Sequence, residues 1–326
     1  MRPPIEGSGI LVTGGAGFIG SHLVDRLFLE GAREVVVIDN MFLGSEENLD
    51  EAAQFGVKIY REDAESMASL EAILEEHPAD IVFNCATKAL ANSFTDPAST
   101  YMVNPQVAIN LLELQRIGRF TTLVHFSTSE VYGSAVSEPM DEEHPIRPTT
   151  AYAAGKVAAD VAAQSYAQMF GLDSIIVRPF NNYGPRQNWR EPMAAVIPRS
   201  IHRLLDGQRP VIHGEGMQSR DFIYVLDTID AVVGVYERLA PGDSVNICAE
   251  GQMTIRSVIE AICRLMKVAP DFEFQERRHS DVECHRGSTT KLRRMGTYHE
   301  TEFEIGLKAT VDWYVDRLGS KKAMHP

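Results

Sequence analysis

Along the first half of the chain, apolar residues come in short unbroken runs. Between them lie longer stretches in which apolar residues recur every three or four positions. The runs are GILV (9–12), VVVI (35–38), VKIY (57–60), DIVFNCA (80–86), TLVHFS (122–127) and SIIVRPF (174–180). Runs that do not alternate with polar residues read as strands buried on both faces. The intervening stretches read as helices: FIGSHLVDRLFLEG (18–31), SLEAILEEH (69–77), VAINLLELQRIG (107–118) and TAYAAGKVAADVAAQSYAQMFG (150–171). In the first of these Ile19, Leu23 and Leu27 share a face, and Gly31 can close the helix. Strand and helix in alternation predict an α/β fold, with a parallel sheet covered by helices on both sides.

After about residue 180 the rhythm breaks. Pro and Gly become frequent in NNYGPRQNWREP, DGQRP and HGEGMQSRD. Shorter candidates follow: FIYV (222–225), SVNI (244–247), TIRSVIEAICRLM (254–266) and LKATVDWYVDRL (307–318). The expectation is a first domain over 1–180 and a smaller α/β domain over 181–326 that returns some segments to the first. A length of 326 residues suits two domains.

The net charge of −14 argues against a broad basic surface, so no nucleic-acid partner is expected. No apolar run reaches the ~18 residues of a membrane span. The N-terminus runs straight into a strand without a secretory pattern, and the four cysteines form no C-x-x-C pair. Both point to a reduced, cytoplasmic protein. HSDVECH (279–285) gathers His, Cys and carboxylates, but its spacing fits no zinc pattern; a polar loop without metal is expected there.

Two stretches carry chemistry. In VTGGAGFIG (12–20), between the first strand and the first helix, Gly14, Gly17 and Gly20 lie three apart. Such glycines let backbone N–H groups approach a pyrophosphate at a helix N-terminus. Glycines also serve plain tight turns; here the flanking strand and helix favour the phosphate reading. Asp39, which ends the second strand, lies 19 residues after Gly20 and suits the adenosine ribose hydroxyls. No Lys or Arg occurs from Asp39 through Gly56, so NAD is expected rather than NADP. The second stretch places Tyr152 and Lys156 one helical turn apart, on one face. Many helices carry such a pair on a solvated face. Here the hydroxyl-rich strand end Ser127-Thr128-Ser129 lies about 25 residues upstream. A lysine cation and a nicotinamide cation would both lower the tyrosine pKa, making a base for a sugar hydroxyl.

In this order, TGGAGFIG, STSEVYG, YAAGK, RPFNNYGPR and SRDFIYVLD resemble the extended short-chain dehydrogenase/reductase family. Its members include NAD-dependent nucleotide-sugar epimerases, dehydratases and decarboxylases. The resemblance covers nearly the whole chain. It implies a Rossmann-type doubly wound domain holding NAD, a smaller domain binding a nucleotide-diphosphate sugar, and a homodimer formed through the helices around 104–117 and 151–170. By the same resemblance Thr128 would bond the sugar O4, Tyr152 would be the base and Lys156 would hold the nicotinamide ribose. Phe18, Ile19, Asn40, Asp63, Ala64 and Lys88 would complete the cofactor contacts. Asn181, Arg220 and Arg278 would bind the diphosphate or the nucleotide.

The motif Thr128-Ser129-Glu130 bears on the reaction. All these enzymes first oxidise C4 of the sugar. An epimerase then needs no further carboxylate. A 4,6-dehydratase needs a base for the C5 proton and an acid for the C6 hydroxyl; the glucose-type motif supplies Thr-Asp-Glu. A decarboxylase uses the ketone as electron sink, and its motif reads Thr-Ser-Glu. RPFNNYGPRQN looks more like the dehydratases, and an arginine that decarboxylases carry late in the chain falls here on His285. The expected activity is a 4,6-dehydratase with Ser129 and Glu130 in the catalytic set. A decarboxylase, a 4-epimerase and a non-catalytic NAD-binding sensor are the alternatives; the last would be expected to lose Tyr152 or Lys156.

Overall fold

Seven parallel strands form the central sheet of the protein, for which a computed structural model describes residues 2–276, 282–296 and 298–323. Six are β1 (Gly9–Thr13), β2 (Glu34–Ile38), β3 (Lys58–Tyr60), β4 (Ile81–Asn84), β5 (Thr122–Phe126) and β6 (Asp173–Pro179). The seventh, Ser244–Ile247, pairs with β6 at one edge, and the order across the sheet runs Ser244–Ile247, β6, β5, β4, β1, β2, β3. The unbroken apolar runs have the expected cause. In β1, Ile10 and Val12 face one core with Leu23, Val24 and Leu27, while Leu11 faces the other with Leu70, Ile73 and Leu111. Both faces of the strand are dry, and its one polar side chain, Thr13, donates to Asn84 Oδ1 at 2.8 Å. Each such aliphatic side chain contributes about 1.5–3 kcal/mol on burial.

The helices of this half are α1 (Phe18–Leu29), α2 (Asp50–Ala53), α3 (Met67–Glu76), α4 (Pro97–Arg116) and α5 (Ala151–Phe170). Helix α4 begins at Pro97, not at 107 as the apolar pattern predicts. Asp96 caps it by accepting from Ser99 N at 3.3 Å, and Pro105 lies inside it. An interior proline normally ends a helix, which conceals this first half from sequence reading. Helices α4 and α5 lie closely together. A Cβ on Gly155 would sit 2.4 Å from the Tyr101 carbonyl oxygen, so only glycine fits there.

Beyond residue 180 three small two-stranded ladders form, among them Asn181–Tyr183 beside Phe222–Tyr224. Helices Val196–Leu205, Ile255–Leu265 and Phe303–Ala323 enclose a separate core that includes Ile197, Ile201, Val258, Ile262, Leu307 and Tyr314. Helix Val225–Tyr236 instead packs Ile229, Val232 and Val235 against the central sheet. Among the described residues, no helix is long and apolar enough to cross a membrane.

Candidate active site

The chain leaves β1 for β2 and β3 on one side, and β4 through β6 lie on the other. In open parallel sheets that reversal opens a crevice at the carboxyl ends of the strands. Here a cleft of about 690 Å³ lies at this place and is lined from both halves of the chain. Gly14, Gly17, Phe18, Ile19 and Gly20 form its floor. Gly14 has φ +67°, and a Cβ on it would lie 2.8 Å from Ala86 Cα. A Cβ on Gly20 would lie 2.3 Å from the Gly14 carbonyl oxygen. Gly17 is the N-cap of α1 and supplies no side-chain cap, so the first N–H groups of the helix remain available to an anion. These residues fit a dinucleotide pyrophosphate. Gly20→Ala is expected to push the turn out of shape and lower the NAD content of the purified protein at least tenfold, measured by chromatography after heat release.

Asp39 follows β2 in the same cleft. Its Oδ1 accepts from Met41 N at 2.8 Å and its Oδ2 from Ala16 N at 3.0 Å. Burial pushes its pKa up, against the pull of those backbone donors. A carboxylate has about four lone-pair sites, so acceptor capacity remains for ribose hydroxyls. Asn40 Nδ2 donates to Asp63 Oδ2 at 3.1 Å, which ties the ends of β2 and β3 together, and Ala64 lines the wall beside them. Lys88 also lines the cleft, but its Nζ is engaged with Ser99 Oγ and lies 3.8 Å from Asp96 Oδ2, at the start of α4.

Tyr152, Lys156, Thr128 and Glu130 meet at the opposite wall. Thr150 caps α5 by accepting from Ala153 N at 3.1 Å, which fixes where the first turn begins. Tyr152 N donates to Ser93 Oγ at 3.0 Å, and the Tyr152 phenol lies near enough to Thr128 for that hydroxyl to draw its pKa down. Lys156 is buried, and its Nζ donates to the Phe126 carbonyl at the end of β5 at 2.7 Å. Burial lowers the Lys156 pKa to about 8, with Asp160 and Cys85 pulling it back up. Burial also pushes Tyr152 up to about 12; Thr128 draws it down, while Glu130 and Asp160 raise it. Sequence reasoning expected Lys156 to lower the tyrosine. Desolvation outweighs any such effect here, so the phenol is un-ionised at neutral pH.

Thr128 is the N-cap of a single turn, Ser129–Tyr132, and accepts from Glu130 N at 3.3 Å. This turn separates neighbours in sequence. Glu130 points into the cleft, whereas Ser129 is buried outside it with its Oγ 3.5 Å from His285 Nδ1. Asn181 lines the cleft, and its buried Nδ2 has no protein partner, a donor left for a ligand oxygen. Arg220 lines the cleft too and donates to the Ser219 carbonyl at 2.9 Å. Arg278 lies outside the described residues, as do 279–281 of HSDVECH.

Sequence reading missed several neighbours. Gln187 lines the cleft with a buried Oε1 that has no partner. Asp160 lies behind Lys156 and accepts from Arg178 Nε at 3.1 Å. The i, i+4 step from Lys156 to Asp160 was a usable signal; nothing in the sequence pairs Asp160 with a strand residue.

Such a cleft is that of a Rossmann-fold enzyme working with a bound dinucleotide. Residues 10–248 match the model of the NAD dependent epimerase/dehydratase family, and the chain belongs to that family, within the extended short-chain dehydrogenases/reductases. Its cofactor is NAD. The chain is 32% identical over 307 residues to UDP-glucose 4-epimerase of Mycolicibacterium smegmatis, covering 93% of this chain and 97% of that one. It is 31% identical to UDP-glucuronic acid decarboxylase 5 of Arabidopsis thaliana, covering 96% and 91%. The crystal structure of the dTDP-glucose 4,6-dehydratase DesIV from Streptomyces venezuelae, with NAD bound, superposes with a TM-score of 0.90 at 28% identity, covering 95% and 98%. Three reactions are thus represented at similar distance, all on nucleotide sugars.

Proposed function

We propose that this enzyme is a nucleotide-sugar dehydratase of the 4,6 type. The observation that carries the reading is Glu130, a carboxylate facing the cleft beside Thr128, Tyr152 and Lys156. The chemistry a bound NAD would supply here is reversible hydride exchange with the sugar, which would make a C4 ketone available. Thr128 and Tyr152 hold the O4 hydroxyl, and Tyr152 takes its proton. Lys156, fixed by the Phe126 carbonyl, holds the nicotinamide ribose. The ketone acidifies C5–H, and Glu130 removes that proton. Ser129 does not supply the acid that expels the C6 hydroxyl, because it is turned out of the cleft. Glu130 therefore delivers the proton it has taken, and water leaves from C6. Asn181 and Arg220 bind the diphosphate.

A second reading, decarboxylation of a uronic acid, is favoured by that same absence of an acid at 129, since loss of carbon dioxide needs only the ketone. Arg220 would then face the sugar carboxylate. The deciding experiment is the mass change of the sugar nucleotide. Purified enzyme is incubated with UDP-glucose, dTDP-glucose, GDP-mannose, UDP-N-acetylglucosamine and UDP-glucuronate. Loss of water supports the proposal. Loss of carbon dioxide from glucuronate alone supports the second reading. An altered retention time at constant mass means an epimerase and overturns both.

We also propose a cytoplasmic homodimer. Helices α4 and α5 leave Met102, Ile109, Val161 and Met169 exposed, at 50%, 41%, 56% and 68%. Apolar side chains of this size on two adjacent helices suit a helix–helix interface. Light scattering should give twice the 36.2 kDa chain mass, and Val161→Glu should halve it.

A further inference from the structure

Behind Glu130, away from the cleft, lies a titratable group that the mechanism above does not use. His285 is fully buried, with 0% exposure. Its segment is fastened from two sides: Gly287 N donates to Asp221 Oδ2 at 3.0 Å, and Met140 N donates to the Arg286 carbonyl at 2.8 Å. The ring is therefore a fixed object. Its Nε2 lies 2.8 Å from the Gly133 carbonyl oxygen. A carbonyl only accepts, so Nε2 carries a proton and, in the neutral ring, Nδ1 is the acceptor. Nδ1 faces Ser129 Oγ at 3.5 Å and Glu130 Oε1 at 3.9 Å.

The charged groups around the ring fix its state. Glu130 favours the imidazolium; Arg220 and His144 oppose it, and burial is the largest influence, lowering the pKa. The ring is neutral at neutral pH. An ionised carboxylate also only accepts, so two acceptors face each other across the Glu130–His285 gap, and at rest the donor to Nδ1 is the Ser129 hydroxyl. One proton added to the pair turns that mismatch into a hydrogen bond.

We propose that His285 is the positioning residue for Glu130: its Nδ1 accepts a hydrogen bond from the Glu130 carboxyl once that group has taken up the sugar C5 proton. This rests on Glu130 being the C5 base. In the step, the C5–H bond breaks and its electron pair moves into the enolate of the C4 ketone. The proton adds to Glu130, is held against Nδ1 while the C6–O bond opens, and then leaves with the hydroxyl as water. Nothing is oxidised or reduced in this step. The arrangement explains how one carboxyl serves as base and then acid with Ser129 turned away.

Two variants separate this role from a structural one. His285→Gln keeps a donor for Gly133 and removes the Nδ1 acceptor. His285→Asn does the reverse. The expected result with NAD-loaded enzyme is that H285Q leaves C4 oxidation at the wild-type rate and slows loss of water roughly tenfold. That is less than the ~10²–10⁴-fold for removing a proton-transfer group. H285Q should also shift the acid limb of the water-loss rate, and H285N should be the milder variant in that step. If H285Q loses water at the wild-type rate, or H285N is the worse of the two, the proposal is overturned. A substrate-free measurement tests the geometry. Imidazole ¹⁵N spectra of the wild-type holoenzyme should show His285 protonated on Nε2 alone. In Glu130→Gln the Nδ1 resonance should move, because a side-chain amide now donates to it. An Nδ1-protonated ring, or no movement in E130Q, overturns the proposal even if water loss is found. If the spectra behave as expected but the sugar panel reveals an epimerase, the dehydratase reading fails while the Glu130–His285 contact stands, and its role as C5 partner falls with that reading.

Discussion

Tyr152→Phe is expected to reduce C4 oxidation by about 10²–10⁴-fold while leaving NAD bound. The substitution deletes one oxygen and keeps the ring. The backbone bond from Tyr152 N to Ser93 is unaffected, and so is the Lys156 bond to Phe126. The phenol lies beside Thr128 on the cleft wall, where the proposed mechanism puts the sugar hydroxyl. Burial pushes its pKa up to about 12. A positive charge on the nicotinamide side of the cleft must bring it down before it can act as a base at neutral pH. The sign follows: lowering the pH protonates the base, so wild-type single-turnover oxidation should slow on the acid side. In Y152F the residual rate should be independent of this ionisation. Absorbance of the reduced nicotinamide after rapid mixing with substrate gives both quantities, and NAD content after heat release gives retention. A variant that oxidises at the wild-type rate would remove Tyr152 from the mechanism.

The sheet was legible because its strands are buried on both faces. In β1, β4 and β5 every residue is buried, so the sequence shows unbroken apolar runs that no amphipathic helix produces. The cofactor side was legible for a related reason. The turn after β1 has almost no room for side chains, and Gly14 and Gly20 record that in the sequence. Legibility fell where tertiary contact overrides local preference. Pro105 is carried inside α4 because the packing of Val103, Val107 and Leu111 against the sheet outweighs one lost backbone bond. The substrate wall was harder still. Glu130 and Ser129 are adjacent in sequence and differ only in which side of a one-turn helix they leave. The partner that sorts them, His285, arrives from the far end of the chain through loops held by Asp221 and Met140. Spacing carries no trace of such a contact. The motif letters therefore placed Ser129 in the catalytic set, while the fold turns it towards His285.

Glu130→Gln is expected to separate the reaction into its halves. Gln has the same shape and can occupy the same wall of the cleft, but it cannot take a proton. In the proposed mechanism oxidation at C4 depends on Tyr152, Thr128 and Lys156, none of which the substitution alters, so reduced nicotinamide should form at close to the wild-type rate. Removal of Glu130's negative charge should even favour it slightly, since Glu130 is one of the groups that raise the tyrosine pKa. What should fail is the next step, by about 10²-fold or more. The reduced cofactor should then persist instead of appearing only transiently, and the 4-keto sugar should accumulate with its full mass. This outcome distinguishes the reactions found among the relatives. An epimerase returns its hydride without proton removal at C5, so E130Q would complete turnover and no reduced cofactor would persist. A decarboxylase would still lose carbon dioxide, because the electron sink is already in place. Rapid-mixing absorbance combined with quenched-flow mass spectrometry on one variant therefore reads out whether the carboxylate in STSEVYG does chemistry, and on which carbon.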